Sequence, residues 1–216
     1  IFYLIGFSWQ AYLLNASILN GLVSLLIYFL FNNLGLNFKL SFFYAICFSI
    51  LAYPSSGTPF VDHHSALLSI IAIIFIIKAI NSNNLYFWFL VPVFLFFAFL
   101  SKQVPATYIF VGTIFLIILH LSHQQKKDFV KILLTLFVSS LLLIIFFIIL
   151  LKINDIDIKL FLTQYFNYPS IIGQERYKTI NYDFKNIFLN FKFIYLALFF
   201  LLFSTIEIIK RKSKNF

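Results

Sequence analysis

Residues 132–151 read ILLTLFVSSLLLIIFFIILL, a stretch without one charged side chain. About 20 such residues in a helix span the hydrocarbon core of a bilayer. The pattern recurs along the chain. Apolar runs at 12–31, 41–54, 64–80, 85–100, 105–121, 131–151 and 188–209 predict about seven membrane-crossing helices. Lipid offers the backbone no hydrogen-bond partner, so the expected fold class is all-α, a polytopic transmembrane helix bundle. Composition supports the same solvent: 62% of residues are hydrophobic and 11% charged, against roughly a quarter charged in a soluble domain. Residues 1–11, with Trp9, read as the end of a preceding loop or an interfacial segment. The chain opens Ile1-Phe2-Tyr3-Leu4 with no Met, so we expect one transmembrane domain, 1–216, that is a fragment of a longer protein.

The formal net charge of +9 does not point to nucleic acid. Basic residues collect in short loops and near the C-terminal end rather than on a face with interleaved aromatics. One set of alternate loops holds Lys39, Lys78, Lys126, Lys127, Lys131, Lys210, Arg211, Lys212 and Lys214; the short loops of the other set hold only Lys102. The positive-inside rule makes the first set cytoplasmic. Loops 55–63, 101–104 and 152–187 then face outward. Asp62, Asp155, Asp157, Glu175 and Asp183 lie on that side, so the unusual chemistry does too. The 152–187 stretch is expected as an extracytoplasmic loop segment carrying short interfacial helices. The lone Cys47 excludes an intrachain disulfide and a cysteine zinc site.

Three outward segments carry candidate chemistry. Gly57-Thr58-Pro59-Phe60-Val61-Asp62-His63-His64-Ser65 turns and opens a helix. Asp62 alone reads as an N-cap, but a cap does not call for two histidines beside it. Ionisable groups at lipid are costly and point to function. Asp62 with His63 or His64 suits a divalent cation, Asp62 and His64 being the metal-ligand pair we name, and a helix N-terminus favours phosphate directly. Phe99-Leu100-Ser101-Lys102-Gln103-Val104-Pro105 places Lys102 between two apolar helices, as a snorkelling lysine or a fixed charge for a lipid-borne phosphate. In Gly173-Gln174-Glu175-Arg176, Arg176 is either a solvated loop residue or a bidentate phosphate ligand. His120 and His123 share a helix face beside Lys126 and Lys127, which reads as an ordinary interfacial face ahead of the alternative, a metal-binding pair. Asn15 and Asn20 are placed to hydrogen-bond between helices.

The run Asp62-His63-His64, opening a helix that continues Ser65-Ala66-Leu67-Leu68, resembles the second acidic motif of GT-C glycosyltransferases. Oligosaccharyltransferase catalytic subunits carry an Asp-x-Asp or Asp-Asn-Glu type signature there; here His replaces the second acid. Ser101-Lys102-Gln103-Val104-Pro105 is similar to the Thr-Lys-Gly-Pro type element of aminoarabinose- and mannosyltransferase-like members, with Ser for Thr, Gln for Gly and Pro one residue later. The resemblance covers roughly residues 1–150. It implies transfer of a sugar, with inversion, from a polyprenyl-phosphate donor at the outer face of a bacterial cytoplasmic (inner) membrane. It implies Asp62, His63, His64, Lys102 and Gln103 as substrate-binding residues, with Mg or Mn as the divalent ion; Arg176, outside that span, joins the substrate-binding set on its phosphate-gripping chemistry alone. It also implies a catalytic Asp in a first outer loop upstream of residue 1. The partners implied are the lipid-linked sugar donor, the bilayer and an acceptor of unstated chemistry. The competing reading is a transporter or lipid flippase with an ionisable cluster at the membrane boundary. No repeated halves or paired broken helices support it.

Overall fold

In the computed structural model, residues 6, 8–55, 61–82, 84–122, 126–179, 183–190, 192, 194–196, 198–199 and 202–203 are described. Nearly all are helical, and no strand occurs among them. The helices are α1 (Trp9–Asn33), α2 (Phe38–Ser55), α3 (Val61–Ser82), α4 (Leu85–Ser101), α5 (Gln103–Ser122), α6 (Lys126–Ile153), α7 (Ile158–Leu162), α8 (Tyr168–Thr179) and α9 (Phe184–Asn190). Each of the first six expected spans is a helix. The seventh, 188–209, is helical where described, and its remaining positions lie outside the described residues. Among the described residues three segments are long and apolar enough to cross a membrane: Trp9–Asn33, His63–Ser82 and Asp128–Ile153. Phe38–Ile50, Leu85–Ser101 and Ala106–Ser122 are apolar but shorter. The chain divides into two compact units, Ile1–Asn154 and Asp155–Phe216.

Local chemistry sets the helix ends. Ser8 caps α1, its hydroxyl accepting from the Ala11 N–H at 3.1 Å, so Trp9 and Tyr12 belong to the helix and their rings stack. The expected loop end before residue 12 is therefore already helix from Trp9. At the far end Gly35 takes φ +89°, a conformation open to glycine at no steric cost. This closes α1 with a Gly35 N–H bond to the Asn32 carbonyl and a Leu36 N–H bond to the Phe31 carbonyl. Two residues later the Asn37 side chain accepts from the Leu40 N–H and starts α2. The chain thus folds α1 and α2 into a hairpin. Its seam carries one of the two predicted asparagine bonds: Asn20 Nδ2 donates to the Ser49 carbonyl at 3.1 Å and lies 3.3 Å from its hydroxyl. Among the described residues Asn15 makes no such bond.

The densest packing joins α3 to α4. Hydrophobicity does not drive helices together in lipid, because the tails are as apolar as the side chains; close approach does. On α3 the buried face is Ser65, Ser69, Ala72, Ile76 and Ala79, mostly small. On α4 it is Trp88, Val91, Leu95 and Ala98. Ala72 and Ile76 meet Val91 and Leu95, while Ala79 packs with Trp88, Leu121 and Ile132. Helix α4 also contacts α5 and α6, and α3 also contacts α1 and α5. By contrast α6 exposes large apolar side chains along its length, among them Phe137, Leu142 and Ile149, as a lipid-bathed helix does.

In the second unit, acids that the sequence places outside prove to organise the chain. Asp155 takes φ +53°, a left-handed turn position that Asp tolerates, and Asp157 caps α7 by accepting from the Lys159 N–H at 2.7 Å. A π turn, Thr163–Asn167, joins α7 to α8. The 152–187 stretch thus carries short helices, as expected.

Candidate functional site

The two motifs of the first unit meet at a corner one residue long. Helix α4 ends at Ser101 and α5 begins at Gln103; only Lys102 lies between, with extended backbone (φ −156°, ψ 126°). Such a sharp corner strands backbone groups that the helices no longer satisfy. Here both are taken up. The Lys102 N–H donates to the Ala98 carbonyl at 3.0 Å, and the Ser65 hydroxyl donates to the Lys102 carbonyl at 3.3 Å. Ser65, Ala98 and Ala106 are at most 1% exposed, so three small side chains bring α3, α4 and α5 together around that peptide. Thr107 returns its own hydroxyl to the Gln103 carbonyl one turn back.

Helix α3 begins at Val61, so Asp62 lies inside the first turn rather than before it, where an acid complements the helix dipole. The side chain of Asp62 and residues 56–60 lie outside the described residues. His63 and His64 are half-buried, two and one positions before Ser65. Nδ1 of His63 is buried and finds no hydrogen-bond partner among the described residues. A buried unsatisfied ring nitrogen is uncommon and calls for an explanation such as a bound group. Lys102 and Gln103 are half-buried. The corner therefore brings His63, His64, Lys102 and Gln103 to one end of the first unit. It is the Ser65 bond that joins them.

Arg176 lies on α8, in the second unit, and its side chain lies outside the described residues. The metal pair has a geometric difficulty. Positions 62 and 64 both lie in α3, two residues apart, and residues so spaced do not face each other. As a chelating pair for Mg or Mn they do not fit, and no chemical step is derived through such an ion. Among the described residues no group of three or more His, Cys, Asp or Glu side chains gathers elsewhere. At the opposite end of α5, His120 stacks on Trp88 with ring centroids 5.6 Å apart; its spaced partner His123 lies outside the described residues.

Ser65 is the residue of the corner that neither motif assigns a role. Its signal was present in the spacing of small residues, Ser65, Ser69, Ala72 and Ala79, along one face of α3. No family model, no curated protein and no solved structure matches the chain.

Proposed function

We propose that this chain is part of a GT-C-like glycosyltransferase, with about seven membrane spans in these residues, that moves a sugar from a polyprenyl-phosphate donor to an acceptor at the outer face of a bacterial inner membrane. The observation that carries the reading is the Ser65–Lys102 hydrogen bond, which ties the Asp62-His63-His64 helix start to the Ser101-Lys102-Gln103 corner. The bond spans 37 positions and supports reading the two short motifs as one site.

In this reading the bond between the sugar's anomeric carbon and the phosphate oxygen breaks. The electron pair leaves with polyprenyl phosphate, and the acceptor oxygen or nitrogen bonds to the anomeric carbon from the opposite side. The acceptor's proton goes to a carboxylate that the resemblance puts upstream of residue 1. Lys102 meets the charge that grows on the departing phosphate. His63, whose Nδ1 has no partner among the described residues, and His64 hydrogen-bond the phosphate or the sugar. Asp62, acceptor-only when ionised, takes sugar hydroxyls. Gln103 lies beside Lys102.

The test uses the full-length protein in membranes, supplied with a panel of polyprenyl-phosphate hexoses, with release of polyprenyl phosphate as the readout. Removing a charge-assisted hydrogen bond costs about 1.5–3 kcal/mol, so Lys102→Ala should slow release roughly tenfold to a hundredfold. Lys102→Arg should retain part of the rate. Unchanged release in Lys102→Ala at normal abundance would overturn the reading. Movement of the lipid across the bilayer with no bond cleaved would replace it with a flippase.

A further inference from the structure

Helices α5 and α6 follow one another in the chain, yet among the described residues they scarcely pack together; each packs on α4 instead. Between them remains a wedge of about 450 Å³. Ile114, Ile118 and Leu121 line it from α5, and Phe129, Leu133 and Leu136 from α6. Ser122, at the end of α5, donates its hydroxyl to the Leu119 carbonyl at 2.8 Å and offers a guest no donor. The wedge is therefore a seat for hydrocarbon, and left empty its walls would forgo dispersion contacts. Leu121 also packs against the fully buried Trp88 of α4, so it has the indole on one side and the wedge on the other.

The end of the wedge at Ser122 and Phe129 is where α6 starts, and that start is basic: Lys126 and Lys127, then Lys131 one turn on, against the single acid Asp128. Asp128 already lies 3.5 Å from Lys131. Position 126 is one turn before Phe129, in register with the wedge-lining positions 129, 133 and 136. Lysines in a first helical turn oppose the helix dipole, and an anion placed there relieves both. The depth of the wedge fits one leaflet. From Ile114 to Ser122 the α5 backbone rises about 12 Å, close to half of a hydrocarbon core about 30 Å thick. Its volume equals about fifteen water-sized units, and a methylene is of similar size, so it holds about one acyl chain. We infer that the wedge docks an anionic diacyl phospholipid, one acyl chain between α5 and α6 and its phosphate at the start of α6. This site is at the opposite end of α5 from Lys102 and is independent of the proposed function.

The experiment uses the full-length protein in phosphatidylcholine nanodiscs, with every tryptophan but Trp88 replaced by phenylalanine. A brominated acyl chain quenches an indole only at close range, and Trp88 is shielded from bulk lipid. Brominated phosphatidylglycerol should quench Trp88 at a mole fraction roughly tenfold or more below that needed with brominated phosphatidylcholine, since each lysine near an anionic head is worth about fivefold. Lys126→Gln together with Lys127→Gln should bring the two lipids close to parity. Asp128→Asn removes a like charge from the phosphate and should widen the gap. Leu133→Phe, at the partly exposed lip, fills the wedge and should weaken quenching by both lipids. Equal quenching by the two lipids in the otherwise unaltered protein would overturn the inference, as would a gap that narrows in Asp128→Asn. Quenching indifferent to both Leu133→Phe and Leu136→Phe would show that lipid gathers near the lysines without entering the wedge, and would overturn it too. Polyprenyl phosphate protecting Trp88 from the brominated lipid better than unbrominated phosphatidylglycerol does would replace the phospholipid with an isoprenoid.

Discussion

Ser65 and Lys102 are 37 positions apart, yet the Ser65 hydroxyl donates to the Lys102 carbonyl at 3.3 Å across the boundary of three helices. The bond restrains the backbone that carries the lysine, not the ammonium itself. We therefore expect Ser65→Ala to leave the protein folded but the corner loose. An unsatisfied carbonyl costs about 1–3 kcal/mol, partly recovered where water or headgroups reach it. Thermal unfolding in nanodiscs should drop modestly, while donor release should fall through its maximal rate more than through KM. Ser65→Leu should be worse in both, since a fully buried serine leaves no room for extra methylenes. Wild-type kinetics in Ser65→Ala would show that the corner holds without this bond.

A second hydrogen bond lies beside a weakness written into α4. Pro92 lies inside that helix, where it removes the donor for the Trp88 carbonyl and presses on the preceding turn. From α6, the fully buried Ser139 donates to the Phe89 carbonyl in that turn at 2.7 Å. Hydrogen bonds between membrane helices are worth about 0.6–2 kcal/mol, and Ser139→Ala should lose about that much. In a Pro92→Ala background the helix supplies its own donors, and the same substitution should cost less. A double-mutant cycle on unfolding free energies measures the difference. Equal costs in both backgrounds would mean that Ser139 acts by packing alone.

Trp88 is fully buried and its indole N–H has no partner among the described residues. Its packing and its polar atom therefore pull in opposite directions. Trp88→Ala removes the ring that touches Ala79, Leu121 and Ile132 and should cost about 3–5 kcal/mol. Trp88→Phe keeps an aromatic ring and discards the unsatisfied donor, whose burial costs about 1–3 kcal/mol. The phenylalanine variant should therefore unfold close to wild type. A loss as large as that of the alanine variant would imply that the indole N–H is paired.

The six helices of the first unit were legible because lipid leaves the backbone little choice: an apolar run must be helical to satisfy itself. The start of α1 at Trp9 was less legible, because Ser8 as a cap outweighs the drop in hydropathy before residue 12. The Asn20 bond was foreseeable from a lone amide in an apolar helix, whereas nothing local distinguished it from Asn15. In sequence alone, Asp155, Asp157, Glu175 and Asp183 look like one class of loop acid. Asp155 and Asp157 instead serve a turn and a cap, chemistry visible only once the α6–α7 connection has a shape. The Ser65–Lys102 contact was hidden for a related reason. It depends on α3 and α5 converging at a corner, and a serine in an apolar helix looks the same whether it meets a carbonyl or lipid. Helix phase also bears on the metal pair, because Asp62-His63-His64 reads as a cluster in sequence but is spread around an axis once helical.

That spread leads to the sharpest expectation for the acidic motif. Asp62 lies in the first turn of α3, where its charge adds about 0.3–1 kcal/mol through the helix dipole. Asp62→Asn keeps the shape and most of the hydrogen-bonding capacity, so membrane abundance should be near normal. If the carboxylate only steadies the helix, donor release is also near normal. If it grips sugar hydroxyls as proposed, release falls roughly tenfold to a hundredfold, the value of a hydrogen bond to a charged group. His64→Ala separates the remaining question. Positions 62 and 64 do not share a helix face, so His64 is not expected to complete a cation site with Asp62. The dependence of release on divalent cation, whatever its strength in the wild type, should carry over unaltered into His64→Ala even as the rate drops. A raised cation requirement in that variant would put the imidazole back among the metal ligands. Full activity in Asp62→Asn, His63→Ala and His64→Ala alike would remove the motif from the site.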